Sequence, residues 1–208
     1  MPKTQGLQYD ATWFMIHEPT WSEKLRPWLE KTFKQDKSLR LLEIGSYEGL
    51  SSSWLLENLL DIAKDALPGA VHLTCVDAWP GPEYKPLRDK CLHNLRTVSA
   101  AFGVTPDACY RVYEAPSEEV LPTLPGQFHF IYVDGCHKAD AVYKDTIEAF
   151  RLVRPGGMIF WDDYCCATTP KEEKDQVTAG VNRAFAELGI KHEDVIEWGH
   201  DLVYRKKG

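Results

Sequence analysis

The sequence has no apolar run of about 18 residues, so no helix is expected to span a membrane. The opening stretch "MPKTQGLQYDATWF" lacks the apolar core of a signal peptide, and a cytoplasmic chain is the expectation. Positive charge is in short supply: 24 Lys and Arg stand against 31 Asp and Glu, for a net charge of −7. Such a chain repels nucleic-acid phosphates. The basic "RKKG" at the end is too short to reverse that and reads as a solvated tail. The six cysteines (Cys75, Cys91, Cys109, Cys136, Cys165 and Cys166) form no Cys-x-x-Cys pair and no zinc-like spacing. Cys75 and Cys109 sit in apolar, strand-like runs, where reduced buried thiols are expected. Adjacent Cys165 and Cys166 read as two thiols in a loop. Internal repeats, low-complexity tracts and a Gly/Ser/Pro linker are all missing. The 208 residues therefore suit one domain.

What is present is an alternation of strands and helices from about residue 40 onward. "LRLLEIG", "VHLTCVDAW", "ACYRVYEA", "FHFIYVDG" and "MIFWDDY" read as five strands. The intervening helices are "SSSWLLENLLDIAKDAL", ending at Pro68-Gly69; "YKPLRDKCLHNLRTVSAAFG"; "SEEVLPTL", with Ser117 as N-cap; and "KADAVYKDTIEAFRLVRPGG", ending at Pro155-Gly156-Gly157. A further helix, "DQVTAGVNRAFAELG", precedes "EDVIEWG" and "DLVYRK". With only "GH" between them, those last two segments read as an antiparallel hairpin. Repeated strand–helix units imply an α/β fold with a largely parallel sheet covered on both faces. Residues 1–39 hold Trp13, Trp21 and Trp28 and the helical "WSEKLRPWLEKTF". They read as a cap or lid ahead of a core at 40–208 within a single domain.

In open parallel sheets, ligands bind beyond the carboxyl ends of the strands. There the sequence places Glu43, Gly45, Ser46 and Gly49; then Asp77 and Trp79; then Ser117 and Glu118; then Asp134 and His137; then Asp162 and Asp163. The turn "LLEIGSYEG" is not a dinucleotide fingerprint, because Tyr47 stands at the middle glycine position. No G-K-[ST] follows, so it is not a phosphate loop either. An acid-x-Gly-x-x-x-Gly turn suits a nucleoside with an amino-acid tail. Gly45 lets the chain pass close to such a ligand, and Asp77 can accept hydrogen bonds from both ribose hydroxyls. Together they point to S-adenosylmethionine.

The blocks "LLEIGSYEGLSSSWLL", "LTCVDAW", "FIYVDGCHKADAVYKD", "RLVRPGGMIFWDDY" and "GVNRAFAEL…VIEW…LVYRK" resemble, in order and spacing, the class I S-adenosylmethionine-dependent methyltransferases, in particular the small catechol O-methyltransferase-like group. The likeness covers roughly residues 40–206. It implies a Rossmann-like, seven-stranded sheet of order 3-2-1-4-5-7-6 with the seventh strand antiparallel. It also implies a site: Glu43, Gly45, Ser46 and Gly49 on the methionine and ribose side, Asp77 at the ribose, Trp79 beside the adenine, Ser117 and Glu118 at the adenine edge, and Asp134 beside the methionine tail and the acceptor. Magnesium or another divalent cation would be held by Asp134, Asp162 and Asp163, although Asp163 stands where that group has an amide. His137 falls where the group places its base, and the alternative is an imidazole that merely orients Asp134.

The implied reaction is methyl transfer to a hydroxyl of a small molecule, aromatic or sugar-like, with His137 and Asp134 as catalytic residues. Metal-independent O-methylation and N-methylation of a small amine stay open. Methylation of nucleic-acid bases is disfavoured by the charge and by the missing N-P-P-[YFW] signature. A non-catalytic binding module would not need the acids after the fourth and fifth strands. A small-molecule acceptor is the expected partner, with no nucleic acid and no membrane, and the sequence leaves room for a homodimer.

Overall fold

The computed structural model describes residues 1–164, 171–198 and 201–208. The adjacent thiols of Cys165 and Cys166 and the "GH" connection at 199–200, with His200, lie outside the described residues. Among those described, seven strands form one sheet: β1 (Leu39–Ile44), β2 (Val71–Asp77), β3 (Tyr110–Glu114), β4 (Phe128–Val133), β5 (Val153–Trp161), β6 (Val195–Trp198) and β7 (Asp201–Arg205). Their order is β3-β2-β1-β4-β5-β7-β6. β2 runs parallel to β3, and β4 runs parallel to β5. β7 is antiparallel to both β5 and β6. The sheet and the terminal hairpin are those the alternation predicts. All six residues of β4 are buried, the pattern of a strand covered on both faces.

Two compact units divide the chain. The first comprises Met1–Leu41 and Ser46–Glu114, the second Leu42–Gly45 and Ala115–Gly208. β1 therefore gives its first half to one unit and its second half to the other.

In the first unit, helix α1 (Arg26–Asp36) continues a π-helical segment, Trp21–Leu25. Helices α2 (Leu50–Ile62) and α3 (Lys85–Ala101) follow. Most residues of α2 are buried, including Ser52, Ser53 and Asn58, as befits a helix enclosed on several sides. It stops at Ile62, short of the breaker at Pro68-Gly69, because residues 64–69 are exposed and no apolar face remains to hold another turn. Phe14, Trp21 and Trp54 form an aromatic cluster, with Trp21 edge-on to Phe14 at 4.9 Å and to Trp54 at 5.4 Å.

In the second unit, α4 (Ala139–Leu152) packs on α5 (Lys171–Leu188). The expectation that α4 runs to Pro155 is corrected: "RPGG" lies inside β5. Arg154, preceding a proline, is driven to extended backbone. The pairing with β4 slips between Phe128 and Phe130, and Gly156 takes the extra bend at φ 76°. Ser117 is likewise not an N-cap. Pro116 holds that position, and Ser117 opens the one-turn helix Ser117–Val120. Cys75, Cys91 and Cys109 are buried cysteines outside any disulfide, and burial pushes the Cys109 thiol up to about 11.

Candidate active site

In the first unit the chemistry gathers at the end of β2. Asp77 turns its carboxylate back onto the turn that follows β1. Its Oδ2 accepts the backbone N–H groups of Ser46 and Tyr47, each at 2.9 Å. Its Oδ1 accepts the N–H of Trp79 at 2.9 Å. The Trp79 indole Nε1–H in turn donates to the Tyr47 carbonyl at 2.9 Å. Tyr47 (φ 47°) and Trp79 (φ 37°) both sit in the left-handed region that side chains disfavour, a strain of about 1–3 kcal/mol each. One carboxylate and one indole thus hold two strained residues in a closed ring of hydrogen bonds. Trp79 is buried and acts here as a clamp. Gly49 caps α2, and a Cβ there would stand 2.9 Å from the Cα of Cys91, so the glycine lets α2 and α3 approach.

Glu48, in the same turn, carries a role the sequence did not reveal. It is 2% exposed and accepts backbone N–H groups from Asp10 and Ala11 at 2.8 and 2.9 Å. Its other oxygen meets the Lys90 ammonium at 2.6 Å. Burial by itself would raise its pKa, but Lys90 and the two N–H groups outweigh burial and hold it below the usual carboxylate range. No local pattern flags a glutamate whose partners lie about 40 residues away on both sides.

In the second unit, Glu43 is fully buried near the end of β1. Gly45 follows at φ 90°, and a Cβ there would fall 1.8 Å from the carbonyl oxygen of Asp134. Its need for glycine therefore comes first from the chain itself, where the Asp134 N–H also bonds the Ile44 carbonyl at 2.8 Å. Asp134 emerges from β4 and Asp162 and Asp163 from β5. The buried Tyr132 hydroxyl lies 2.5 Å from Asp162 Oδ2 and 3.1 Å from Asp134 Oδ2. A phenol has one proton to give, so both contacts are hydrogen bonds only when one of the two acids is itself protonated. Loss of hydration, then repulsion from Asp162, pushes Asp134 well above the usual carboxylate range, with His137 opposing.

His137 Nε2 lies 3.2 Å from Asp163 Oδ2 and 3.7 Å from Asp134 Oδ1. Asp163 reaches that position through a left-handed backbone, at φ 59°. Asp134, His137 and Asp163 bring one ligand atom each within 4.8 Å of one another, a set able to hold a divalent cation. Asp162 is turned instead toward Tyr132 and toward the carboxylate of buried Asp201. Of the expected adenine pair, the Ser117 hydroxyl bonds Asp145, and Glu118 accepts from Lys144 at 2.6 Å. His17 is buried, and His129 is buried within β4. A cleft of about 860 Å³ in the first unit, lined by Arg26, Phe33, Lys37, Asp61 and Leu67 among others, touches none of these residues.

A methyltransferase-domain family model matches residues 42–164. A curated relative, uncharacterized protein R132 of Acanthamoeba polyphaga mimivirus, is 26% identical over 164 residues, 77% of this chain. The chain spans 65% of that relative's length. Among solved structures, the Podospora anserina methyltransferase PaMTH1, bound to SAH, shares 21% identity at a TM-score of 0.57, covering 88% of this chain and 78% of its own. The O-methyltransferase TomG of Streptomyces achromogenes, in complex with SAM, shares 21% identity at a TM-score of 0.54, covering 88% and 79%. At these identities the likeness is one of fold. No helix among the described residues is long and apolar enough to cross a membrane.

Proposed function

Because the chain belongs to the methyltransferase-domain family, we propose that it moves a methyl group from S-adenosylmethionine to a hydroxyl of a small molecule, with His137 as general base. The observation that carries this reading is the imidazole of His137 set against the carboxylates of Asp163 and Asp134, just beyond β4 and β5.

The residues suit the cofactor in their chemistry. The turn at Ser46–Gly49 offers the Asp77 carboxylate, and the Lys90 ammonium beside it is committed to Glu48 and Asp10. Such a turn favours a ligand that brings hydroxyl donors over one that brings phosphates. Asp77 has three backbone N–H groups on about four lone-pair directions, which leaves room for a ribose hydroxyl. Gly45, Ser46 and Gly49 would shape the nucleoside side, with Trp79 clamping the turn. Glu43 and Asp134 would favour the ammonium of the amino-acid tail, and Ser117 and Glu118 the adenine edge. S-adenosylmethionine, when bound, supplies a methyl group activated by its sulfonium.

The chain's part is to place the acceptor and take its proton. His137, set against the two carboxylates and neutral, takes the hydroxyl proton on its imidazole. The two acids then steady the imidazolium. Asp134 and Asp163, which stand together, would hold magnesium, with Asp162 joining only on turning away from Tyr132, and the ion would lower the pKa of a bound hydroxyl. The imidazole, however, already stands between Asp134 and Asp163 and supplies a counter-charge when protonated, so the base reading stands without the metal.

The test is a pH–rate profile and a calorimetric titration with S-adenosylhomocysteine on His137→Ala. Turnover is expected to fall roughly 10²–10⁴-fold, and the rise of rate with pH to flatten, with cofactor affinity kept. Turnover near wild type with an unchanged profile refutes the base. Full activity after exhaustive chelation removes the metal alone.

A further inference from the structure

Helix α4 carries its buried face on Val142, Asp145, Thr146, Ala149 and Leu152. That spacing faces a core, and the carboxyl of Asp145 stands where it calls for an apolar side chain. Asp145 is 2% exposed, and burial raises its carboxyl to about 6. Near neutral pH the protein therefore keeps a charge where a neutral side chain would be more stable. Departures of this kind from local preference gather at functional sites.

The partner of Asp145 is Ser117, whose hydroxyl donates to the carboxyl. The neighbouring residues pair in the same way, with Lys144 of α4 donating to Glu118 at 2.6 Å. Further along, the Arg151 guanidinium donates to the Leu121 carbonyl at 2.7 Å. Three polar side chains of α4 thus fix the segment from Ser117 to Leu121, and with it the direction of one hydroxyl. A hydroxyl has one proton and two lone pairs, and an ionised carboxylate can only accept. With its proton given to Asp145, the half-buried Ser117 has only lone pairs left to offer a ligand.

We propose that Asp145 makes the protein selective for adenine: by holding the Ser117 hydroxyl as an acceptor, it fits that oxygen to the exocyclic amino group of the cofactor's base and against a carbonyl in the same place. This rests on the methyltransferase reading, in which Ser117 lies at the adenine edge. Adenine presents an N–H donor there, and hypoxanthine presents an oxygen. Two oxygens face to face gain nothing, because the Ser117 proton cannot turn outward without leaving a buried carboxylate short of its donor. Asp145 is a positioning residue that acts through Ser117, and Lys144 steadies the residue beside it.

The test is calorimetry on the full chain at about pH 8, where Asp145 is ionised, with S-adenosylhomocysteine and with S-inosylhomocysteine, in which a carbonyl replaces the amino group. The wild-type chain should prefer the adenine ligand by roughly 10-fold or more, the worth of one well-placed hydrogen bond. Asp145→Ala and Ser117→Ala should each bring that preference within about threefold, and the double variant no lower, because both act through one hydroxyl. Asp145→Asn can turn either its carbonyl or its amide to Ser117, so its preference should fall in between. Ser117→Ala, at a half-buried position, carries the same reading where Asp145→Ala fails to fold. Equal affinity of the wild-type chain for the two ligands, or an adenine preference unchanged in Asp145→Ala or Ser117→Ala, overturns the assignment and leaves the methyltransferase reading standing. Failure of the wild-type chain to bind S-adenosylhomocysteine overturns both.

Discussion

Asp77→Ala tests the turn most directly. The wild-type carboxylate accepts three backbone N–H groups at 2.9 Å. Hydrogen bonds to a charged acceptor are each worth about 1.5–3 kcal/mol, so the gross loss is roughly 5–9 kcal/mol. Two corrections reduce it. Asp77 is half-buried, so water replaces part of what is lost. Releasing Tyr47 and Trp79 from left-handed backbone returns about 1–3 kcal/mol each. The net cost to stability is then about 2–4 kcal/mol, and the relaxed turn no longer presents the shape a ribose would meet. Asp77→Asn keeps acceptor capacity on one oxygen only, so it cannot serve both Trp79 and the Ser46–Tyr47 pair, and falls in between. Urea denaturation gives the stability, and titration with S-adenosylhomocysteine on the same preparations gives the affinity. An unchanged urea midpoint in Asp77→Ala, or cofactor affinity within twofold of wild type, would refute the account of this turn.

Two further expectations concern the second unit. Gly45→Ala puts a methyl group 1.8 Å from the Asp134 carbonyl oxygen, on a backbone at φ 90°. It should cost about 3 kcal/mol or more, and a urea-denaturation loss below about 1 kcal/mol would show that the close approach is soft. Asp145 is buried, and burial raises its carboxyl from an ordinary 3.8 to about 6 against the pull of the Ser117 hydrogen bond. A raised folded-state value means its contribution is most favourable below the ordinary value and is lost as pH rises through 6. Asp145→Asn stays neutral and should therefore gain about 3 kcal/mol on wild type between pH 4 and pH 7. A stability difference independent of pH would contradict that sign.

The sequence by itself determined the alternating elements, the parallel core and the closing hairpin, because each rests on local information. The apolar run of β4 and the helical spacing of apolar residues in α4 act over a few positions and are legible one window at a time, whereas the helix ends at Ile62 and Leu152 are not. It also placed acids at the strand ends, since a strand end fixes where its next residue stands. Tertiary structure alone decided what those acids face. Asp77 turns to its own glycine turn, Asp162 to Tyr132, and His137 to the two remaining carboxylates. Glu48 and Asn94 come to hold the backbone of residues 8–11, and Trp13 comes to rest on Tyr47. Each of these pairings except His137 with Asp134 joins residues about 26 or more positions apart. No periodicity extends that far, so only the register of the packed strands and helices selects the partner.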